Sequence, residues 1–186
     1  YFMNNFTFCA LDLNLDENTR KQMLNEVLSC NESHWYHDTF RGCGILPLFN
    51  GDGTTGAPRE GVIRSQGDMT FTEAGEQCPT IKKFVINNVF PFMDIPGRMS
   101  VLKTDSNKVL NVHMDSNRRA LGTIQHKFRI VLNGEIGKLY FLDSKLNKVF
   151  VPEYWNTYVL DGTHPHSIEA DTEEKITICI GTPWAG

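Results

Sequence analysis

The chain of 186 residues is short of several things, and each shortage excludes a class of protein. Its cysteines, Cys9, Cys30, Cys43, Cys78 and Cys179, are odd in number and include no C-x-x-C pair. Neither a disulfide framework nor a zinc knuckle is therefore expected. No run approaches the roughly 18 consecutive apolar residues of a membrane-spanning helix. Basic residues are outnumbered, 18 Lys and Arg against 22 Asp and Glu, for a net charge of −4. A nucleic-acid partner ordinarily requires the opposite balance. The expectation is a protein of a reducing, cytoplasmic setting with neither a membrane nor a nucleic-acid partner. Repeats and low-complexity tracts are missing too. What remains, 40% hydrophobic and 22% charged residues, is the composition of an ordinary globular protein, with length for one domain and a proper core.

Along the chain, "FTFCALDL" (6–13) has strand composition and leads into "NLDENTRKQMLNEVLSC", where Met23, Leu24, Val27 and Leu28 recur at helical spacing. Asn14 with Glu17 three residues on resembles a capping box, which predicts a helix starting there. From Asn31 to Met69 turn-formers dominate, and no periodicity is long enough to assign. A second helix is predicted in "CPTIKKFVINNVFPFM", with Pro79 at its start and Pro91 at its end. After Pro96 and Gly97 come eight short β segments: "RMSVLK", "VLNVHM", "KFRIVL", "GKLYFLD", "KVFV", "NTYVL", "HSIEA" and "KITICIG". Helices first and strands after predict an all-β core, sandwich or barrel, flanked by helices.

The chemistry concentrates in "KVLNVHMDSNRR" (108–119). On an extended segment His113 and Asp115 share one face while Met114 points to the other. Farther on, "YVLDGTHPHSIEAD" supplies His164 and His166, again two apart. A His-x-Asp plus one distant histidine is the ligand set of a 2-His-1-carboxylate facial triad, which suits non-haem Fe(II). Three protein ligands on one face of an octahedron leave three sites for a bidentate keto acid and for dioxygen. The far carboxylate of such a co-substrate, held in an apolar barrel, needs a cation. Lys175 begins "KITICIG" and Thr177 shares its face, so an ammonium and a hydroxyl can grip it together. Arg129 in "HKFRIVL" is the competing or additional cation.

The segments "RMSVLKTDSNKVLNVHMD", "HKFRIVLNGEIGKLYFLD", "YVLDGTHPHSIEAD" and "KITICIG" resemble the Fe(II)/2-oxoglutarate-dependent dioxygenases. The likeness is greatest to the aspartyl/asparaginyl β-hydroxylase-like and proline hydroxylase-like branch, and it spans about residues 98–184. It implies a double-stranded β-helix (jelly roll, cupin-like) at 98–186, a helical and loop support region at 1–97, and one dioxygenase domain over 1–186. It implies that His113, Asp115 and His166 bind the metal and carry catalysis, and that Lys175, Thr177 and Arg129 bind 2-oxoglutarate. Lys175 stands where the family commonly has arginine. The cofactors implied are Fe(II), 2-oxoglutarate and O2, with ascorbate as an accessory reductant. The substrate implied is an amino acid or an amino-acid side chain in a peptide or protein, hydroxylated with release of succinate and CO2.

Other roles are assigned on the same residues. His126 is expected to pack at a strand start or meet solvent, His34 and His37 to pack among aromatics, and Arg118 and Arg119 to meet solvent. The Gly-rich "NGDGTTGAPREG" lacks the strand-loop-helix setting and the Gly-Lys-Ser/Thr ending of a phosphate loop, and is read as a lid. Two different readings compete with the oxygenase: a cupin-like metal protein with isomerase or hydrolase activity and no keto acid, and a non-enzymatic β-sandwich binding module with structural histidines.

Overall fold

The computed structural model of the protein describes residues 7–39, 42–54, 68–93, 96–114, 124–134 and 138–183. Among them the strands are β1 (Phe8–Ala10), β2 (Tyr36–Asp38), β3 (Cys43–Gly51), β4 (Met69–Phe71), β5 (Met99–Thr104), β6 (Ile124–Asn133), β7 (Leu139–Leu142), β8 (Lys148–Phe150), β9 (Thr157–Asp161), β10 (His166–Ile168) and β11 (Lys175–Pro183). The helices are α1 (Glu17–Ser29), α2 (Glu73–Glu76) and α3 (Pro79–Asn88). A large antiparallel sheet has the order β1-β9-β6-β11-β5-β3-β2, with β4 also paired to β3. A smaller sheet has the order β10-β7-β8.

Period-two alternation distributes the core over both faces of the large sheet. In β11, Ile176, Ile178 and Ile180 point to one side, where they pack with Phe128, Ile130 and Leu132 of β6 under Met23 and Val27 of α1 and Ile81, Phe84 and Val85 of α3. The intervening Val131, with Tyr158 and Leu160 of β9, points to the opposite side and meets Leu139, Phe141 and Ile168 of the small sheet. Two sheets thus face each other across the second core, and helices cover the outer face of the larger one. The sheet is not closed into a barrel.

Several expectations need correction. The cap of α1 is Asp16, whose side chain accepts from Thr19 N at 2.9 Å. Asn14 instead takes a left-handed φ of 53°, a conformation asparagine tolerates in turns. The 1–97 region is more than helix and loop, since β1, β2, β3 and β4 all join the large sheet. The nine residues of β3 were hidden by their near-continuous apolar run and by Pro47, which argues against an interior strand. Pro47 is accommodated because β2 pairs only with 43–45 and β4 only with 49–51, leaving a gap where its missing N–H is not required. The register against β5 also shifts between Pro47 and Phe49. The second helix starts at Pro79 as expected, and Pro91 lies in a short 3-10 turn, Phe90–Phe92, just beyond it.

The segment "VLNVHM" departs from the expected strand. Among its described residues the segment is extended but pairs through a single bridge, His113 with His166. Two carbonyls that a ladder would pair with backbone N–H groups are taken by side chains: Leu110 O accepts from Ser167 Oγ, and Lys108 O from Lys175 Nζ.

Candidate active site

The bridge places the two imidazoles directly opposite each other. His113 N donates to His166 O and His166 N to His113 O, both at 3.0 Å. This is the reciprocal pair of an antiparallel ladder, in which facing residues project to the same side. The ring centroids are 4.6 Å apart. Each ring is oriented by its own chain: His113 Nδ1 lies 2.8 Å from Asn111 O and His166 Nδ1 2.8 Å from His164 O. A carbonyl only accepts, so each Nδ1 carries a proton, and Nε2 is the nitrogen with which each ring would meet a metal. Metal-ligating histidines commonly have this outer-shell arrangement, a second nitrogen donating to a fixed carbonyl.

His166 is buried, at 1% exposure, with the Phe141 ring tilted against it at 5.4 Å between centroids. The side chain of His164 is 44% exposed, with Nδ1 3.4 Å from Asp161 Oδ2. Strand alternation would give the two the same face, but β10 begins only at His166, and His164 belongs to the preceding turn with its N–H bonded to Asp161 O. Asp115, the carboxylate of the expected triad, lies outside the described residues, as do Arg118 and Arg119 and residues 55–61 of the lid segment. Among the described residues no three His, Cys, Asp or Glu side chains converge.

The co-substrate candidates share the inter-sheet face. Thr177 pairs with Val131 and Cys179 with Arg129, and paired residues project alike, so Arg129 stands on the side of Lys175 and Thr177. All three are buried, Arg129 at 5% exposure and Lys175 and Thr177 at 1%. Lys175 is thus no surface strand charge. Its Nζ donates to Lys108 O at 2.8 Å and to Glu169 O at 3.0 Å, which joins it to the segments bearing both histidines. Arg129 and Lys175 are the charged groups among the buried polar residues described, besides the histidines. The site is therefore a pair of facing imidazoles and two buried cations distributed over the two facing sheets.

Two participants escape a reading of the sequence. Ser167 is fully buried and ties Leu110 O to β10, and Tyr158, 2% exposed, lies opposite Arg129 in the β6–β9 register. The period-two rule places Tyr158 on a face only once its strand partner is known. His126 is half-buried, and burial lowers its pKa while the charge of Asp161 partly offsets that shift. His34 is buried with Nε2 3.5 Å from Glu73 Oε2, whereas His37 is exposed.

No protein-family model matches the chain. A curated relative, the kinesin-like protein KIN-7I of Oryza sativa subsp. japonica, is 30% identical over 94 residues, which is 49% of this chain and 7% of that protein. The match spans a small fraction of the relative's length. Solved structures agree over nearly the whole chain. One is a prolyl hydroxylase from Trichoplax adhaerens in complex with a hypoxia inducible factor peptide fragment: TM-score 0.64, 13% identity, 96% of this chain and 84% of that one. An oxidoreductase of the 2OG-Fe(II) oxygenase family from Burkholderia pseudomallei gives a TM-score of 0.65 at 8% identity, over 99% and 89%. HygX from Streptomyces hygroscopicus, with nickel, 2-oxoglutarate and hygromycin B bound, gives 0.58 at 10% identity, over 97% and 86%. The fold of this chain is the double-stranded β-helix of those oxygenases.

Proposed function

We propose that this chain is an Fe(II)- and 2-oxoglutarate-dependent oxygenase that hydroxylates an amino acid or an amino-acid side chain in a peptide, releasing succinate and CO2. The observation that carries this reading is the His113–His166 pair, two rings on one side of an antiparallel bridge with both Nδ1 protons directed to backbone carbonyls. The two imidazoles, completed by Asp115, form a donor set that fits Fe(II) and leaves half of an octahedron for other ligands. The iron supplies the oxidising chemistry when bound, and the protein's part is orientation and exclusion of side reactions.

The chain's own groups divide the remaining tasks. Arg129, Lys175 and Thr177, all on the buried inter-sheet face, supply charge and hydroxyl donors for the far carboxylate of 2-oxoglutarate. The apolar core of Leu139, Phe141, Val131 and Ile168 next to them lowers the local dielectric, which strengthens such a pairing and keeps bulk water away. The large sheet takes strands from both halves of the sequence, which supports one catalytic domain over 1–186. The Trichoplax neighbour holds a peptide, and this supports a peptidyl or amino-acid substrate here. The five cysteines, odd in number and with no C-x-x-C pair, fit a reducing compartment.

The test is succinate release from 2-oxoglutarate with Fe(II) and ascorbate, screened over free amino acids and short peptides. Turnover, even uncoupled from a substrate, is the expected result. Metal binding with no 2-oxoglutarate consumption at any iron concentration would instead favour the cupin-like metal protein, and no metal binding would leave only a β-sandwich module.

A further inference from the structure

We propose that Lys175, together with Ser167, staples the two chain segments that carry the metal-ligating histidines, so that Lys175 is a positioning residue for the metal site in addition to facing the co-substrate. The inference rests on the reading of His113 and His166 as metal ligands.

The segment leading to His113 runs antiparallel beside residues 166–171, and backbone bonds join them at both ends. At one end is the reciprocal His113–His166 pair; at the other, Asn107 N donates to Asp171 O at 2.6 Å. Between those ends side chains take the place of rungs. Ser167 Oγ donates to Leu110 O, and Lys175 Nζ donates to Lys108 O at 2.8 Å and to Glu169 O at 3.0 Å. The ammonium thus holds one carbonyl from each histidine-bearing segment.

Its own anchorage is firm. Lys175 begins β11, which is paired on both sides, and is itself opposite Thr104 of β5. Gly134 lies so close that a Cβ there would come within 2.8 Å of Glu174 O and 3.2 Å of Lys175 Cγ. The stem is therefore held from the large sheet while the head holds the edge of the small one. Because each imidazole takes its orientation from a carbonyl of its own segment, Asn111 O for His113 and His164 O for His166, moving either segment re-aims an Nε2. Loss of a group bonded directly to a ligating histidine typically costs about 10- to 100-fold in metal affinity, and a support acting through the two segments falls at the lower end.

The experiment is a Co(II) titration followed by visible absorption, with 2-oxoglutarate absent, on wild type, Lys175→Met, Lys175→Arg and Ser167→Ala, with folding checked by circular dichroism. The expected result is a loss of Co(II) affinity of about 10-fold in Lys175→Met, a smaller loss in Ser167→Ala, and partial recovery in Lys175→Arg, which keeps a charged donor. Wild-type Co(II) affinity in folded Lys175→Met, with only 2-oxoglutarate binding weakened, overturns the proposal and leaves Lys175 as a co-substrate contact alone. Should that variant not fold, wild-type affinity in Ser167→Ala overturns it. A wild-type protein that binds no Co(II) is a different outcome, because it removes the metal-site reading itself.

Discussion

Replacing Arg129 by methionine isolates the electrostatic part of co-substrate binding. The side chain is 5% exposed and stands opposite Cys179 on the face shared with Thr177 and Lys175. Methionine keeps most of the aliphatic stem and removes the guanidinium, so packing against the inter-sheet core changes little. Hydrogen bonds to a charged partner contribute about 1.5–3 kcal/mol, and each 1.4 kcal/mol is tenfold in affinity. The KM for 2-oxoglutarate should therefore rise by about 10- to 150-fold. The assay is initial-rate succinate release against 2-oxoglutarate concentration, with substrate and iron saturating. Because the far carboxylate takes no part in the chemistry, its partner binds ground and transition states alike, and kcat should fall much less than kcat/KM. A KM within about twofold of wild type, measured on a folded variant, would refute the assignment and leave the carboxylate to Lys175 and Thr177.

Three further outcomes follow from other parts of the molecule. Glu26 of α1 accepts hydrogen bonds from Thr80 N at 2.9 Å and Ile81 N at 3.2 Å, the first-turn donors of α3, whose N-cap Cys78 makes no side-chain cap bond. Glu26→Ala should cost about 1 kcal/mol, read as a lower urea midpoint at unchanged m; an unaltered midpoint would mean that water replaces the cap without loss. For His126, burial lowers the folded-state pKa below the ordinary 6.5, so the unfolded chain binds the proton more readily and stability is lost as pH falls through and below about 6.5. His126→Gln should flatten that slope in thermal melts across pH 5 to 7.5, and an unchanged slope would locate the pH sensitivity elsewhere. Among the thiols, Cys9 is exposed while Cys30 and Cys78 are buried 3.6 Å apart, and burial pushes both of their pKa values up. A thiol reagent near pH 8 should label Cys9 rapidly and that pair only after denaturant; rapid labelling of Cys78 would show that α1 and α3 separate readily.

Strand alternation was legible where a strand is flanked on both sides by partners. "KITICIG" alternates isoleucine with Lys, Thr and Cys, and the structure gives the isoleucines to the helix-covered core and Lys175 and Thr177 to the inter-sheet face. The same rule failed for "VLNVHM", because local pattern records which side chains are apolar and not which groups will meet the carbonyls. Ser167 and Lys175 took that role across long sequence separations. It also failed for β3, whose proline is tolerated only because two short partner strands leave a gap beside it.

By itself the sequence determined the residue types that chemistry requires: histidines two apart near turns, an aspartate beside one of them, and cations on strands of alternating character. Those follow from local periodicity, which depends only on neighbours in the chain. The tertiary structure alone decided that His166 pairs directly across from His113 while His164 stays in the turn before β10, and that Arg129 joins Lys175 on one buried face. These are matters of register, and register is set by pairing between segments that the linear sequence keeps far apart.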